Sequence, residues 1–184
     1  MSECGQTIAH TKVSRARRVL AYLWVHVVML VTCWLPDLGP CMKLRGFLLG
    51  PAMGRRGRRF AVCHDVHLAF SLEISVGDDV YLANGAWLLG NGGITIDNET
   101  MVGPYCVIVS CDHSKVDGCY SKGPLISAPI HIGRGCWLGA HCVVVKGTTI
   151  GSGCVVGAGS VAVGTLPDNA VAVGIPARVK RIEN

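Results

Sequence analysis

The sequence predicts a mostly-β solenoid, in which very short strands wind into a prism, and three observations lead to this prediction. Half of the 184 residues are hydrophobic, whereas 16% are charged and 6% are aromatic. The chain also contains 24 glycines. This composition excludes intrinsic disorder, which needs low hydrophobicity and high charge, and disfavours helical bundles, which use little glycine. The third observation is a six-residue repeat between positions 74 and 163.

The repeat predicts the shape of the solenoid. A small residue, most often glycine, follows most of the repeated aliphatic residues, and Cys, Thr or Ser is usual three positions after it. Each hexad is one short strand plus a turn, so three hexads close a triangular coil that stacks on the next at about 4.8 Å. About five such coils fit into residues 62–167. The aliphatic positions that define the second block are Ile132, Leu138, Val144, Ile150 and Val156.

The repeat also places many of the ten cysteines. Cys106, Cys136, Cys142 and Cys154 occupy the small slot, which we expect to point inward, where a free cysteine acts as a small hydrophobe. The chain has no C-x-x-C pair, so the sequence supports neither a zinc ribbon nor a dithiol redox site.

The distribution of charge divides the chain near residue 60. Residues 1–60 carry ten basic and two acidic side chains, a net charge of +8, whereas residues 61–184 have a net charge of −3. We therefore expect an N-terminal basic, apolar and helical segment at 1–60 and a β-helix domain at 61–184. The basic cluster lacks interleaved aromatic residues and any known nucleic-acid motif, so we do not expect nucleic acid as a partner.

An apolar run of seventeen residues from Val19 to Leu35 follows three arginines, and three interpretations compete. A secretory signal peptide fits the basic start, but no A-x-A-like cleavage site follows. A helix packed on the domain or on a neighbouring subunit is the second interpretation. In the third, residues 15–59 lie on the inner face of the cytoplasmic membrane, where the basic side chains meet anionic headgroups.

The hexads break at Cys111 and resume at Pro129. The segment between them, 113–129, is too polar and irregular to form a coil. A loop that leaves a solenoid usually lies on its binding face, and His113 stands where this loop begins. Histidine titrates near neutral pH and suits the role of a general base, so His113 is the first candidate for a catalytic residue.

Several motifs together resemble one family. They are the hexads, the Asp112-His113 pair, the run I-G-x-x-x-W-L-G from Ile132 to Gly139, and the C-terminal stretch from Leu166 to Arg178. Residues 74–181 resemble the left-handed β-helix acyltransferases of the hexapeptide-repeat superfamily. They are similar to maltose and galactoside acetyltransferases and to polysaccharide O-acetyltransferases. The resemblance implies a left-handed parallel β-helix, acetyl-CoA as acyl donor and a homotrimer with the donor between neighbouring prisms.

The resemblance also implies roles for individual residues. His113 matches the catalytic base, Asn84 an acceptor-contacting residue, and Trp137 a tryptophan beside the active site. Ala140 and Ala158 match positions that line the cofactor, and Arg178 and Arg181 match basic residues near its nucleotide end. Asn84 could instead form a side-chain ladder, and Trp137 a trimer contact. Asp112, a further candidate at the substrate site, either orients His113 or caps a turn, and Cys111 is a less favoured covalent nucleophile.

The predicted function is acetyl transfer from acetyl-CoA to a sugar hydroxyl in surface polysaccharide synthesis, by direct transfer and without a metal. A lipid-linked acceptor fits a cytoplasmic enzyme at the inner face of the membrane. Three alternatives stay open at this point. They are transfer to an antibiotic, an assembly module without activity, and a zinc carbonic anhydrase using His113, His131 and His141, whose spacing lacks the close histidine pair that this enzyme type needs.

Overall fold

A computed structural model of the protein describes residues 13–183. The first twelve residues of the predicted N-terminal segment 1–60 lie outside the described residues. Two α-helices begin the described chain, α1 (Arg15–Thr32) and α2 (Gly39–Leu49). The Ser14 side chain caps α1 by accepting a hydrogen bond from the Arg17 amide, and Pro40 lies in the first turn of α2. Short 3-10 turns cover Gly50–Ala52, Ser71–Glu73 and Tyr120–Lys122.

The rest of the described chain forms short β-strands. They are β1 (Arg55–Arg56), β2 (Ala61–Val62), β3 (His67–Ala69), β4 (Ile74–Val76), β5 (Tyr81–Leu82), β6 (Trp87–Leu89), β7 (Ile94–Ile96), β8 (Met101–Val102), β9 (Val107–Val109), β10 (Cys111–His113), β11 (Leu125–Ser127), β12 (Ile130–Ile132), β13 (Trp137–Leu138), β14 (Val143–Val145), β15 (Thr149–Ile150), β16 (Val155–Val156), β17 (Val161–Ala162), β18 (Thr165–Leu166), β19 (Ala170–Gly174) and β20 (Ala177–Ile182).

Three parallel sheets form the sides of a prism. Sheet A has the order β1-β4-β7-β12-β15-β18, sheet B the order β2-β5-β8-β13-β16-β19-β20, and sheet C the order β17-β14-β9-β6-β3. Only β20, in sheet B, runs antiparallel to its neighbour in these sheets. The prism has about six turns rather than the five expected for 62–167, because Arg55–Arg56 and Ala170–Gly174 add strands outside that range.

The interior confirms the hexad prediction. The aliphatic residues from Ile132 to Val156 that define the repeat are all fully buried. The four cysteines assigned to the small slot are also buried, and each is a free thiol. Burial of the aliphatic side chains of every coil against the next is the main stabilising contribution in such a solenoid.

The two helices cover the first coil of the prism. Ala21, Val25 and Val28 of α1 belong to the same buried cluster as Phe60 and Val62 of the prism. Strand β1 already pairs with β4 in sheet A, so the solenoid begins a few residues before the division expected at residue 60. Within residues 13–183, no helix is long and apolar enough to cross a bilayer.

Two edges of the prism matter for function. The BC edge consists of the turns that lead from sheet B to sheet C, at 63–66, 83–86, 103–106, 139–142 and 157–160. The CA edge consists of the turns that lead from sheet C to sheet A, and the long excursion 110–129 is one of them. Sheet C lies between these two edges.

Candidate active site

The BC edge carries one row of predicted site residues. The backbone carbonyls of Asn84, Pro104 and Ala140 each accept a hydrogen bond from the next coil, at 2.8, 2.8 and 2.9 Å. These bonds stack Asn84, Pro104, Ala140 and Ala158 one coil apart in this order. The structure therefore brings the predicted acceptor residue Asn84 and the two predicted cofactor-lining alanines onto one edge.

The CA edge carries His113. Strand β10 pairs in antiparallel fashion with β11, and His113 lies opposite Leu125 in this hairpin. The hairpin projects from the stacked coils, and His113 is exposed. The excursion predicted for 113–129 is thus a two-stranded hairpin that keeps the histidine accessible to a substrate.

The contact made by Asp112 differs from one of the two roles expected for this residue, that of orienting the ring of His113. The Asp112 carboxylate forms an ion pair with the Lys146 ammonium group at 3.0 Å. Adjacent residues of a strand point to opposite faces, so Asp112 is engaged by the next coil rather than by the ring of His113. The orienting role considered for Asp112 therefore has no geometric support, and a contact with substrate stays a prediction.

Cys111 is poorly suited to covalent catalysis. Its side chain is buried, and burial, followed by the negative charge of Asp112, raises the pKa of its thiol. The thiolate is the nucleophilic form of cysteine, so this environment disfavours the covalent alternative.

The sequence reasoning missed Asp37, which organises the side of the BC edge next to the helices. One Asp37 carboxylate oxygen accepts hydrogen bonds from Arg45 at 3.1 Å and from the His64 amide at 3.0 Å. The other carboxylate oxygen lies 2.7 Å from Nδ1 of His64, and it accepts a hydrogen bond from the side-chain amide nitrogen of Asn84 at 2.8 Å. Asp37, Arg45, His64 and Asn84 together are called the Asp37 cluster below.

The cluster keeps Asp37 ionised. Burial opposes its charge, but the hydrogen bonds from His64 and Asn84 outweigh burial and lower the pKa of Asp37. The fixed carboxylate in turn fixes the amide of Asn84 and the ring of His64. One signal was present in the sequence, because Asp37 is the only acidic residue among residues 4–64, but nothing in its spacing relates it to Asn84.

Two aromatic rings also lie on the BC edge. The rings of Tyr105 and His141 stack with centroids 5.2 Å apart. Both residues have positive φ angles, at 55° and 59°, which are uncommon for residues other than glycine. In the neighbouring coils, Gly85 and Gly159 take the corresponding turn position with positive φ.

The three histidines of the zinc alternative do not converge. His113 lies on the CA edge, His131 lies in sheet A beside Asp97 at 3.3 Å, and His141 lies on the BC edge. Across residues 13–183, no three His, Cys, Asp or Glu side chains are arranged to hold a metal ion. Within a single described chain, these three histidines therefore do not form a zinc site.

The remaining predicted residues lie on the side of sheet B. Trp137 is half exposed on its outer face, between Met101 and Val155 on the neighbouring strands. Arg178 and Arg181 are exposed in β20, at the end of the prism far from the helices. Arg181 is paired with Glu183 at 2.7 Å.

Within one chain, the predicted residues form two separate groups. Asn84, Ala140 and Ala158 lie on the BC edge, whereas His113 lies on the CA edge, across sheet C. The outer face of sheet C is largely apolar, since Trp87, Val107, Val143 and Val161 follow His67 of the first coil in a continuous row along it. The outer face of sheet A instead carries Ser, Thr and His side chains in the same register.

The comparisons with known proteins agree with this fold. Residues 129–161 match the family model "Hexapeptide repeat of succinyl-transferase". The chain is 31% identical over 116 residues to a galactoside O-acetyltransferase of Escherichia coli, covering 63% of this chain and 57% of that protein. It is 32% identical over 109 residues to a galactoside O-acetyltransferase of Lactococcus lactis, covering 59% of this chain and 53% of that one. The chain therefore spans about half the length of the curated relatives it matches.

A solved structure extends the likeness over nearly the whole chain. The maltose O-acetyltransferase of Clostridium difficile superimposes with a TM-score of 0.79 and 27% identity, covering 91% of this chain and 89% of that one. The acetyltransferase VCA0836 of Vibrio cholerae, solved with acetyl coenzyme A, has the same fold, with a TM-score of 0.80, 24% identity, and coverage of 93% and 92%.

The stacked coils, the hexads and these matches show that the chain contains hexapeptide repeats and has the left-handed parallel β-helix fold. Within this class it is similar to the galactoside and maltose O-acetyltransferases, as the sequence motifs predicted.

Proposed function

We propose that this protein is an acetyl-CoA-dependent O-acetyltransferase that modifies a sugar hydroxyl. The observation that carries the proposal is the exposed His113 at the base of a hairpin, in a chain similar to galactoside and maltose O-acetyltransferases. An accessible imidazole supplies the general base that an alcohol needs at neutral pH.

The proposed step is direct transfer. The imidazole of His113 removes the proton from the acceptor hydroxyl while the hydroxyl oxygen attacks the thioester carbonyl carbon. A carbon–oxygen bond forms, the carbon–sulfur bond breaks, and coenzyme A leaves as a thiolate that takes the proton from the imidazolium. The products are the acetyl ester and coenzyme A, and no metal takes part.

The donor is proposed to lie along the BC edge. Small side chains at Ala140 and Ala158 allow the pantetheine arm to approach the backbone amide and carbonyl groups of the turns. Arg178 and Arg181, at the far end of sheet B, would meet the phosphate groups of coenzyme A. Trp137 borders the same side of the prism.

The acceptor is proposed to bind beside Asn84, where the Asp37 cluster supplies fixed polar groups. A fixed carboxylate, amide and imidazole suit the hydrogen-bonding pattern of sugar hydroxyls. We propose a sugar of a surface polysaccharide, carried on a lipid, as the acceptor. The reaction is then placed in the cytoplasm, at the inner face of the membrane.

A homotrimer would complete the site. If three copies pack around a threefold axis through the apolar faces of their C sheets, the BC edge of one copy meets the CA edge of the next. His113 of one subunit then faces Asn84, Ala140 and Ala158 of its neighbour. This arrangement covers the exposed ring of Trp87 and unites the two groups of site residues.

The activity is tested with the purified full chain and acetyl-CoA. We expect coenzyme A release, followed with a thiol reagent, to depend on an added sugar acceptor such as a methyl galactoside, a methyl glucoside or an undecaprenyl-linked sugar. Mass spectrometry of the product should show the mass increase of one acetyl group. Transfer to chloramphenicol but to none of the sugars would instead favour the antibiotic alternative.

The shared site is tested by subunit complementation. His113→Ala and Asn84→Ala homotrimers should each be impaired, because every site lacks one of the two residues. After the two proteins are unfolded together and refolded as mixed trimers, about a quarter of the sites should hold both native residues, and activity should reappear. Mixing without unfolding is the control. Failure of well-formed mixed trimers to recover activity would show that both residues act within one subunit.

A further inference from the structure

Helix α1 has an apolar stripe that the fold leaves uncovered. Ala21, Val25 and Val28 face the core, as expected for an amphipathic helix. On the opposite face of α1, four apolar residues are spaced three or four positions apart, and their exposed fractions lie between 50% and 71%. They are Leu20, Leu23, Val27 and Leu30.

Exposed apolar side chains also occur in the chain after α1. Trp34 and Leu38, in the connection to α2, and Leu44 and Phe47 of α2 are exposed as well, and Trp34 is 76% exposed. These eight side chains, from Leu20 to Phe47, lie on the helical hairpin of α1 and α2. They are called the hairpin surface below, and they are separate from the β10–β11 hairpin that carries His113. Apolar patches of this extent usually mark an interaction site.

Positive charge surrounds the hairpin surface. Arg15 and Arg17 lie at the start of α1, Lys43 lies on α2, and Arg55 follows the helices, all exposed. The guanidinium group of Arg56 lies 5.0 Å from the ring centre of Phe47. The only acidic side chain among residues 13–64, Asp37, is engaged in the Asp37 cluster, so nothing in this segment offsets the positive charge.

The charge and the width of the apolar face point to a bilayer rather than to a second helix. The spacing of Leu20, Leu23 and Val27 would suit a coiled coil, but a coiled coil needs charged residues beside its seam. Here the flanking positions are Val19, Trp24 and Val31, which are also exposed. A broad apolar face bordered by Arg and Lys is typical of helices that lie in the interface of an anionic membrane.

We propose that the hairpin surface binds the surface of a bilayer containing anionic lipids, with α1 lying in the interface. The apolar side chains enter the boundary between headgroups and acyl chains, and the basic residues contact lipid phosphates. This proposal does not depend on acetyl transfer. If the protein is a trimer, three hairpin surfaces lie at the same end of the assembly and bind together, which strengthens attachment.

Vesicle flotation tests the proposal. The full chain is mixed with vesicles of phosphatidylcholine alone or of phosphatidylcholine with one third phosphatidylglycerol. We expect the protein to float with the anionic vesicles and at least tenfold less with the neutral ones. Raising the salt concentration to 1 M should weaken anionic binding, because salt screens charge.

Matched variants locate the surface. Leu23→Glu combined with Val27→Glu should reduce anionic vesicle binding at least tenfold, and Arg17→Gln combined with Lys43→Gln should reduce it about 25-fold, since each basic residue contributes about fivefold. Ile182→Glu and Lys180→Gln, exposed at the far end of the prism, are the controls and should bind like the native protein. Circular dichroism and light scattering check that each variant keeps its fold and mass.

Three outcomes would overturn the proposal. In the first, the native protein stays in the aqueous fraction with both kinds of vesicle. In the second, binding is equal for neutral and anionic vesicles. In the third, the native protein doubles its assembly mass in solution and Leu23→Glu with Val27→Glu abolishes the doubling, which would assign the hairpin surface to a second copy.

Discussion

Replacing His113 with alanine should lower kcat about 10²- to 10⁴-fold, the usual contribution of a general base. The side chain lies exposed in β10, away from the buried core, so its removal should leave the fold intact. Coenzyme A release with a responsive acceptor gives kcat, and thermal unfolding checks the fold.

His131→Ala is the matched control for this experiment. His131 is also an exposed histidine in a strand, but it lies in sheet A, beside Asp97, and outside both groups of predicted site residues. We expect this variant to keep native kcat. Equal activity of the His113→Ala and native proteins would exclude His113 as the base.

Replacing Arg45 with methionine should destabilise the protein by about 3–5 kcal/mol, as expected when one partner of a buried charged network is removed. The Arg45 side chain is fully buried. It donates hydrogen bonds to the Thr32 hydroxyl and carbonyl, the carbonyls of Leu35 and Val62, and the Asp37 carboxylate. Methionine fills much of the volume, but it leaves these oxygens without their donor.

The stability change is measured by denaturant unfolding at one fixed protein concentration, because association contributes to stability. Lys43→Met, on an exposed position of the same helix, should change the free energy of unfolding by less than about 0.5 kcal/mol. We also expect the Arg45→Met substitution to raise the KM for the acceptor more than it raises the KM for acetyl-CoA. The reason is that the Asp37 cluster, beside which the acceptor is proposed to bind, loses a partner. A stability loss within the error of the Lys43→Met control would contradict the structural role of Arg45.

The repeating part of the fold followed from the sequence because its cause is local. Each hexad must turn one aliphatic side chain, such as Leu138 or Val144, toward the axis of the prism. Every coil has the same requirement, so an aliphatic residue recurs at every sixth position. The confirmed burial of Cys136 and Cys142 has the same origin, since the inner slot admits only small side chains. His113 became a candidate through the break in this pattern and through the family resemblance, and its role stays a prediction.

The candidate site was predicted incompletely because its geometry is not periodic. Asp37 belongs to the connection between α1 and α2, and only the packing of the helices on the first coil brings it to Asn84, 47 positions along the chain. The pairing of Asp112 with Lys146 depends on how the hairpin of β10 and β11 leaves the prism. Neither contact can be predicted from the spacing of residues in the sequence.

By itself, the sequence determined the coil, its small inner slot, the excursion at 113–129 and the basic, apolar character of the first 60 residues. Only the tertiary structure decided which edge of the prism each candidate residue occupies. The excursion interrupts the count of hexads, so the edges cannot be assigned from residue numbers alone. Long-range packing then separated His113 from Asn84 by the width of sheet C, and it left one apolar face of α1 open to solvent.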